Sequence, residues 1–167
     1  MILTYVFSGV LMVISLLVQS HESFDVLRIG GVKPDILFIV IVYLAYSFGS
    51  FYGEIVGFIG GLMQDSISNS LLGLLTFPKV ALGLLVGMFG RSVIKDNIIS
   101  IILLIFVASL LKNIITLMLY FIFHKTHVSV VIGVILPESF YNAILAPPLF
   151  FIFDKIFQKE LRREGYL

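Results

Sequence analysis

The sequence contains no cysteine, few charged residues and no polar stretch long enough for a domain outside the membrane. Without cysteine, the chain has no disulfide bond, no thiolate metal site and no site for S-palmitoylation. Only 13% of its 167 residues are charged, whereas soluble domains of this size contain about 25%. Its net charge of +1 gives no indication of a nucleic-acid partner. These absences leave an integral membrane protein as the expected class.

Long apolar runs fill the chain instead. Hydrophobic residues make up 59% of the sequence, and the mean hydropathy is +1.11. Because a helix needs about 20 residues to cross the hydrocarbon core, the runs predict an all-α bundle of six transmembrane helices in a single domain, residues 1–167. The predicted spans are residues 1–18, 36–48, 51–64, 74–90, 98–123 and 137–157. The first run lacks the basic start and the cleavage site of a signal peptide, so we expect it to be retained.

Two regions allow alternative interpretations. Residues 34–63 are interpreted as two short helices with a tight turn at Gly49 and Ser50. A single helix of that length would be about 45 Å long, too long for an ordinary membrane. The apolar residues 128–136 are interpreted as re-entrant or interfacial, because together with the last span they exceed one crossing, but the sequence does not decide this.

The distribution of lysine and arginine predicts the orientation. Cytoplasmic segments carry an excess of basic residues. With six spans, six basic residues fall on the side of both termini and three on the other, so the termini are expected to be cytoplasmic. The inner set is Arg91, Lys95, Lys155, Lys159, Arg162 and Arg163, and the outer set is Arg28, Lys33 and Lys125.

Glycines recur at four-residue steps in and beside the third and fourth spans. Small residues at this spacing let two membrane helices approach closely. The two seams are therefore predicted to be helix-packing surfaces and candidate docking surfaces for a partner. They consist of Gly49, Gly53, Gly57 and Gly61 in the first seam and Gly83 and Gly87 in the second.

Five polar residues are expected either to lock the bundle or to line a polar pocket, namely Asp65, Lys79, Lys112, Glu138 and Asn142. A charge inside a membrane helix costs about 2.5–3.5 kcal/mol on insertion scales and usually faces the protein interior. Asp65 lies at the C-terminal end of its span, which disfavours an acid, and an ion pair with Lys79 is predicted. Lys112, near the middle of the fifth span, is expected to pair with Glu138 or with helix-end carbonyls.

The remaining acids have a simpler interpretation. Asp35, Glu54, Asp96 and Glu138 all lie at or near the predicted start of a helix. Free backbone N–H groups and the helix dipole favour an anion there. Catalytic chemistry is not indicated, since His124 and His127 have no third ligand beside them and no phosphate-binding loop is present. We therefore expect no enzyme activity, no metal and no cofactor.

Three stretches carry a family resemblance. They are Lys33-Pro34-Asp35-Ile36-Leu37 leading to residues 43–45, the glycine-rich residues 57–65 followed by Leu72-Gly73, and residues 136–147 around Pro137-Glu138. In this order they resemble the MreD family of rod shape-determining membrane proteins, over residues 33–157. Lys112 matches no motif of that family.

The resemblance implies a bacterial cytoplasmic (inner) membrane protein without a catalytic role. It also implies a fold similar to the S-components of energy-coupling-factor transporters. The implied partners are an MreC-type single-span protein and, through it, a RodA-type glycosyltransferase, its transpeptidase and the MreB cytoskeleton.

The leading hypothesis is a scaffold that holds a partner's transmembrane helix and positions cell-wall synthases. The alternative is a small-molecule-binding transporter subunit, with Asp65, Lys79 and Glu138 at its pocket. The first span has no alanine, whereas S-components generally carry an alanine motif there, which weighs against this alternative. A third hypothesis is a pocket for a membrane lipid or a lipid-linked precursor.

Overall fold

The computed structural model describes residues 2–21, 28, 32–68, 71–93, 97–124 and 128–163, so the predicted N-cap position Asp96 and the turn residues 125–127 lie outside the described residues. The described part contains seven helices: α1 (Ile2–Ser20), α2 (Ile36–Phe48), α3 (Ser50–Ile67), α4 (Thr76–Val93), α5 (Ile98–His124), α6 (Val128–Ile156) and α7 (Gln158–Arg163). Ile98–Phe123 and Gly133–Ile156 are long and apolar enough to cross a membrane. Thr4–Ser20 and Ile36–Phe48 are shorter apolar helices. The predicted all-helical class is confirmed.

The central helix of the bundle is α2. It is buried from Leu37 to Ser47 and contacts α1, α3, α4, α5 and α6. Its sequence is apolar on every side, which is the pattern of a helix surrounded by protein. The helix ends at Gly49, whose φ of +90° is readily adopted only by glycine. Since α3 starts at the next residue, the interpretation of this region as two short helices agrees with the structure.

The seam glycines of α3 pack against α4, and those of α4 pack against α3. Gly53 and Gly83 face each other, and Gly87 lies against the backbone of Ser50. A β-carbon at Gly57 would lie 2.7 Å from the carbonyl oxygen of Lys79, which leaves no room for a side chain. Apart from Gly49, the seam glycines therefore serve the contact between α3 and α4, as their predicted helix-packing role requires, and this contact occupies the space that a docked partner helix would need.

The long helix α6 starts earlier than predicted. It begins at Val128 and contains Pro137, Pro147 and Pro148 in its interior. Residues 128–136 are thus continuous with the last helix rather than a separate re-entrant segment. The interpretation of Glu138 as a residue at a helix start was also wrong, because helix precedes it. Membrane helices tolerate proline where neighbouring groups satisfy the freed carbonyls, so Pro137 does not mark a boundary.

Candidate functional site

A buried ion-pair network lies at one end of the bundle, around Asp35. The Oδ2 atom of Asp35 lies 2.8 Å from Nζ of Lys112 on α5 and 3.6 Å from Nζ of Lys79 on α4. Lys112 also donates to Oε1 of Glu138 on α6, at 2.6 Å. The four side chains are largely buried. Together they connect the start of α2 with α4, α5 and α6.

Two amides hold Asp35 from other sides. The backbone N–H of Asp35 donates to Oδ1 of Asn142 at 2.8 Å, and Nδ2 of Asn142 donates to the hydroxyl of Ser109 at 3.1 Å. From α1, Nε2 of Gln19 donates to Oδ1 of Asp35 at 3.2 Å. Asp35 also caps α2, since Oδ1 accepts the N–H of Phe38 at 3.0 Å. The start of α2 is thus fixed by charge and by hydrogen bonds at the same time.

Asp65 performs a different task, as the cap of the next helix. Its carboxylate accepts the backbone N–H groups of Gly73, Leu75 and Thr76 at 2.8, 2.9 and 3.2 Å, and the Thr76 hydroxyl at 2.6 Å. These are free donors at the start of α4, where the helix dipole favours an anion. Asp65 is therefore at the wrong end of α3 but at the right end of α4. Lys79 forms an ion pair with Asp35, at 3.6 Å, and the ion pair between Asp65 and Lys79 stays a prediction.

Substitution of Asp65 by alanine tests this capping role. Loss of a helix cap costs about 0.5–2 kcal/mol, and because several buried donors lose their acceptor together, we expect a decrease in the free energy of unfolding of about 2–3 kcal/mol. Thermal unfolding in detergent measures it. Thr76→Val is the matched control, since it removes one of the four hydrogen bonds and is expected to cost about 1 kcal/mol. Equal stabilities of Asp65→Ala and Thr76→Val would contradict the capping role.

A cavity of about 520 Å³ adjoins the ion-pair network. Its size falls within the range of ligand pockets, about 300–1,000 Å³. Exposed residues at its edge, including Ser20, Ile67 and Ser68, show that it reaches the protein surface. The charged residues of its wall are Lys33, Asp35, Lys79, Lys112 and Glu138. The network thus forms part of the wall of an accessible cavity.

Three amide atoms of the cavity-lining residues lack a protein partner. Oε1 of Gln19, Oε1 of Gln64 and Nδ2 of Asn113 are buried and have no hydrogen-bond partner among the described residues. Buried polar groups are normally hydrogen-bonded, so three such atoms beside one cavity are notable. Two of these residues have a weak signal in the sequence, because Gln64 precedes Asp65 in the glycine-rich motif and Asn113 follows Lys112.

The sequence matches the family model described as rod shape-determining protein MreD, over residues 1–160. The chain belongs to the MreD family. A search of curated proteins found no match. The family match extends beyond residues 33–157, which carried the resemblance, and it includes α1. MreD membership makes this a membrane protein with a role in rod shape determination.

A second polar cluster lies at the opposite end of this MreD-family bundle. Arg91 of α4 forms an ion pair with Asp154 of α6. The hydroxyl of Tyr43 on α2 donates to Oδ1 of Asp154 at 2.9 Å, and the guanidinium of Arg91 lies 5.3 Å from the ring centroid of Tyr46. From the sequence, Arg91 was counted only among the basic residues of the inner side, so this cluster was missed. The contacts connect α2, α4 and α6 at the end away from the cavity.

The predicted polar residues of this MreD-family protein separate into two groups. Lys79, Lys112, Glu138 and Asn142 gather around Asp35, while Asp65 lies at the start of α4. Asp35 was predicted only as a helix cap, although it is the centre of the network. Among the described residues, no group of three histidine, aspartate or glutamate side chains is placed to hold a metal ion.

Proposed function

We propose that this MreD-family protein is a non-catalytic membrane scaffold of the cell-elongation machinery. In this proposal it binds an MreC-type single-span protein and, through it, helps position a RodA-type glycosyltransferase and its transpeptidase, with MreB contacted indirectly. The observation that carries the proposal is the family match over residues 1–160. Rod shape determination follows from that match, and the partners are those that the family resemblance implies.

The proposed topology has six crossings, α1 to α6, in the bacterial cytoplasmic membrane, with both termini cytoplasmic and a fold similar to S-components. Two features support it. The helix α3 has 18 residues, about 27 Å at 1.5 Å per residue, close to the hydrocarbon thickness of about 30 Å, while α4 is kinked at Gly90. The shorter α2 is enclosed by the other helices, so its length need not match the lipid. In this topology the cavity lies on the side of the membrane opposite the cytoplasm.

A partner helix needs an exposed face, because the glycine seams are filled. On α1, a β-carbon at Gly9 would meet nothing within 4 Å, and Val6 and Val13, on the same face, are exposed. A small residue on such a face lets another helix approach closely. The exposed face of α5 carries large residues instead, such as Ile99 and Leu103. We therefore place the partner's helix on the Gly9 face of α1.

Substitution of Gly9 by leucine tests this placement. The new side chain fits the open space, so the protein is expected to insert and fold, but it blocks close approach of a partner helix. Recovery of the MreC-type partner with the tagged protein is expected to fall at least about tenfold, which corresponds to about 1.4 kcal/mol of lost binding. Recovery is measured by quantitative mass spectrometry after extraction in mild detergent.

The matched control is Gly133→Leu, which places the same side chain in open space on α6. It is expected to recover the partner as the wild type does. Undiminished recovery with Gly9→Leu would contradict docking on α1. Failure of the wild type itself to recover an MreC-type protein would contradict the scaffold.

A further inference from the structure

The cavity contains a buried cation that the protein pairs only incompletely. Lys79 is 1% exposed, and its Nζ lies 3.6 Å from Oδ2 of Asp35, which is beyond hydrogen-bond distance. Asp35 already accepts from Lys112 at 2.8 Å and from the N–H of Phe38. An ammonium group has three donors, and burying a charge without good partners is costly. An oxyanion of a ligand would give the ammonium group of Lys79 a hydrogen-bond acceptor.

The other residues that line the cavity indicate which further chemical groups such a ligand would carry. Lys79 and Lys112 line the cavity together with Asp35 and Glu138, and of the two lysines Lys79 has the longer contact to a carboxylate. The Oε1 atoms of Gln19 and Gln64 and the Nδ2 atom of Asn113 have no partner among the described residues, so the two oxygens can accept hydrogen bonds from a ligand and the nitrogen can donate one. A fitting ligand therefore carries an anionic group together with hydroxyl or amide donors.

Apolar residues indicate that the ligand also has an apolar part. Leu16, Leu117, Val134 and Ile135 line the same cavity, and Val134 is exposed at its edge. Because this is a membrane protein, lipid molecules are available at the edge of the cavity. A cavity of about 520 Å³ offers room for a headgroup rather than for long acyl chains, which would extend over the edge.

We propose that the cavity binds the phosphate headgroup of an anionic, hydroxyl-bearing membrane lipid. A phosphate oxygen contacts Nζ of Lys79, and headgroup hydroxyls donate to the amides of Gln19 and Gln64. Charge-assisted contacts of this kind are the stronger hydrogen bonds in proteins. The site does not depend on the scaffold proposal, because it is tested on the purified protein without any partner.

The test compares two lipids by native mass spectrometry of the purified protein in detergent. Dioleoyl phosphatidylglycerol has an anionic phosphate and free hydroxyls, whereas dioleoyl phosphatidylcholine has a phosphate but no headgroup hydroxyl. The apparent Kd for phosphatidylglycerol is expected to be at least about tenfold lower than for phosphatidylcholine, and Lys79→Met is expected to raise it about tenfold. Lys159→Met, which removes an exposed charge on α7, is the matched control and is expected to leave it unchanged.

Gln64→Leu keeps the proposal testable if Lys79→Met fails to fold. Replacing an unpartnered amide by an apolar group of similar size is expected to preserve the melting temperature. It is nevertheless expected to weaken phosphatidylglycerol binding several-fold, which a purely structural role would not produce. Equal phosphatidylglycerol binding by the wild type, Lys79→Met and Gln64→Leu would overturn the proposal, and so would equal binding of the two lipids by the wild type.

Competition with glycerol 3-phosphate identifies the source of the anion. If it displaces phosphatidylglycerol from the wild type but not from Lys79→Met, the cavity recognises the phosphorylated headgroup alone and a soluble phosphomonoester also fits. If it does not compete while the lipid binds in a Lys79-dependent manner, the acyl part is required and the source is the membrane.

Discussion

Lys112→Met is expected to lower the free energy of unfolding in detergent by about 3–5 kcal/mol, the range found when one partner of a buried ion pair is removed. Lys112 donates to both Asp35 and Glu138, at 2.8 and 2.6 Å. Its loss leaves Glu138 without this partner and leaves Asp35 with the longer contact to Lys79. Denaturant or thermal unfolding of the purified protein measures the effect.

The double variant Lys112→Met/Glu138→Gln separates lost charge pairing from lost packing. Because it also removes one of the stranded charges, it is expected to be more stable than Lys112→Met alone. Lys155→Met is the control, since Lys155 is exposed and lies over the ring of Phe151 at 4.7 Å; it is expected to change stability by less than about 1 kcal/mol. A Lys112→Met protein as stable as this control would contradict the network's role.

Gly53→Leu is expected to cost about 3 kcal/mol or more, at or above the upper end for overpacked sites. A β-carbon at Gly53 would meet the carbonyl of Gly83 on α4 and lie 2.6 Å from the β-carbon of Ala45 on α2. The side chain is thus blocked by two helices, one of them through its backbone, so α3 must move as a whole. The melting temperature and the yield of monodisperse protein report this change.

Gly133→Leu is the matched control for this variant as well, because it adds the same side chain where a β-carbon meets nothing within 4 Å. It is expected to melt like the wild type. If Gly53→Leu also melted like the wild type, the close contact between α3 and α4 would not contribute to stability in the way described.

Local chemistry made part of the fold predictable. The break at Gly49 follows from a glycine between two apolar runs, each too short for a conventional span, and the start of α5 follows from the end of a polar segment. The start of α6 was mispredicted because Pro137 resembles a proline in the first turn of a helix. Inside a bundle, however, neighbouring groups compensate for a proline, and this compensation is a tertiary property.

Most residues of the polar site could be predicted from the sequence, but fewer of the contacts between them could. Lys112 had to find an anion because a membrane helix does not leave a charge unpaired, and Glu138 was one of its expected partners. The position of Lys79 beside Asp35 depends on how α2 and α4 pack, which spacing along the chain does not give. Asp65 was judged by the dipole of its own helix, whereas its partners belong to the start of α4.

The most direct test of the scaffold is an unbiased copurification of the tagged wild-type protein. After extraction in mild detergent, bound proteins and small molecules are both identified by mass spectrometry. We expect recovery of an MreC-type single-span protein together with a RodA-type glycosyltransferase and its transpeptidase. Recovery of an ATPase module and a stoichiometric soluble ligand, without those proteins, would contradict the scaffold and identify a transport subunit.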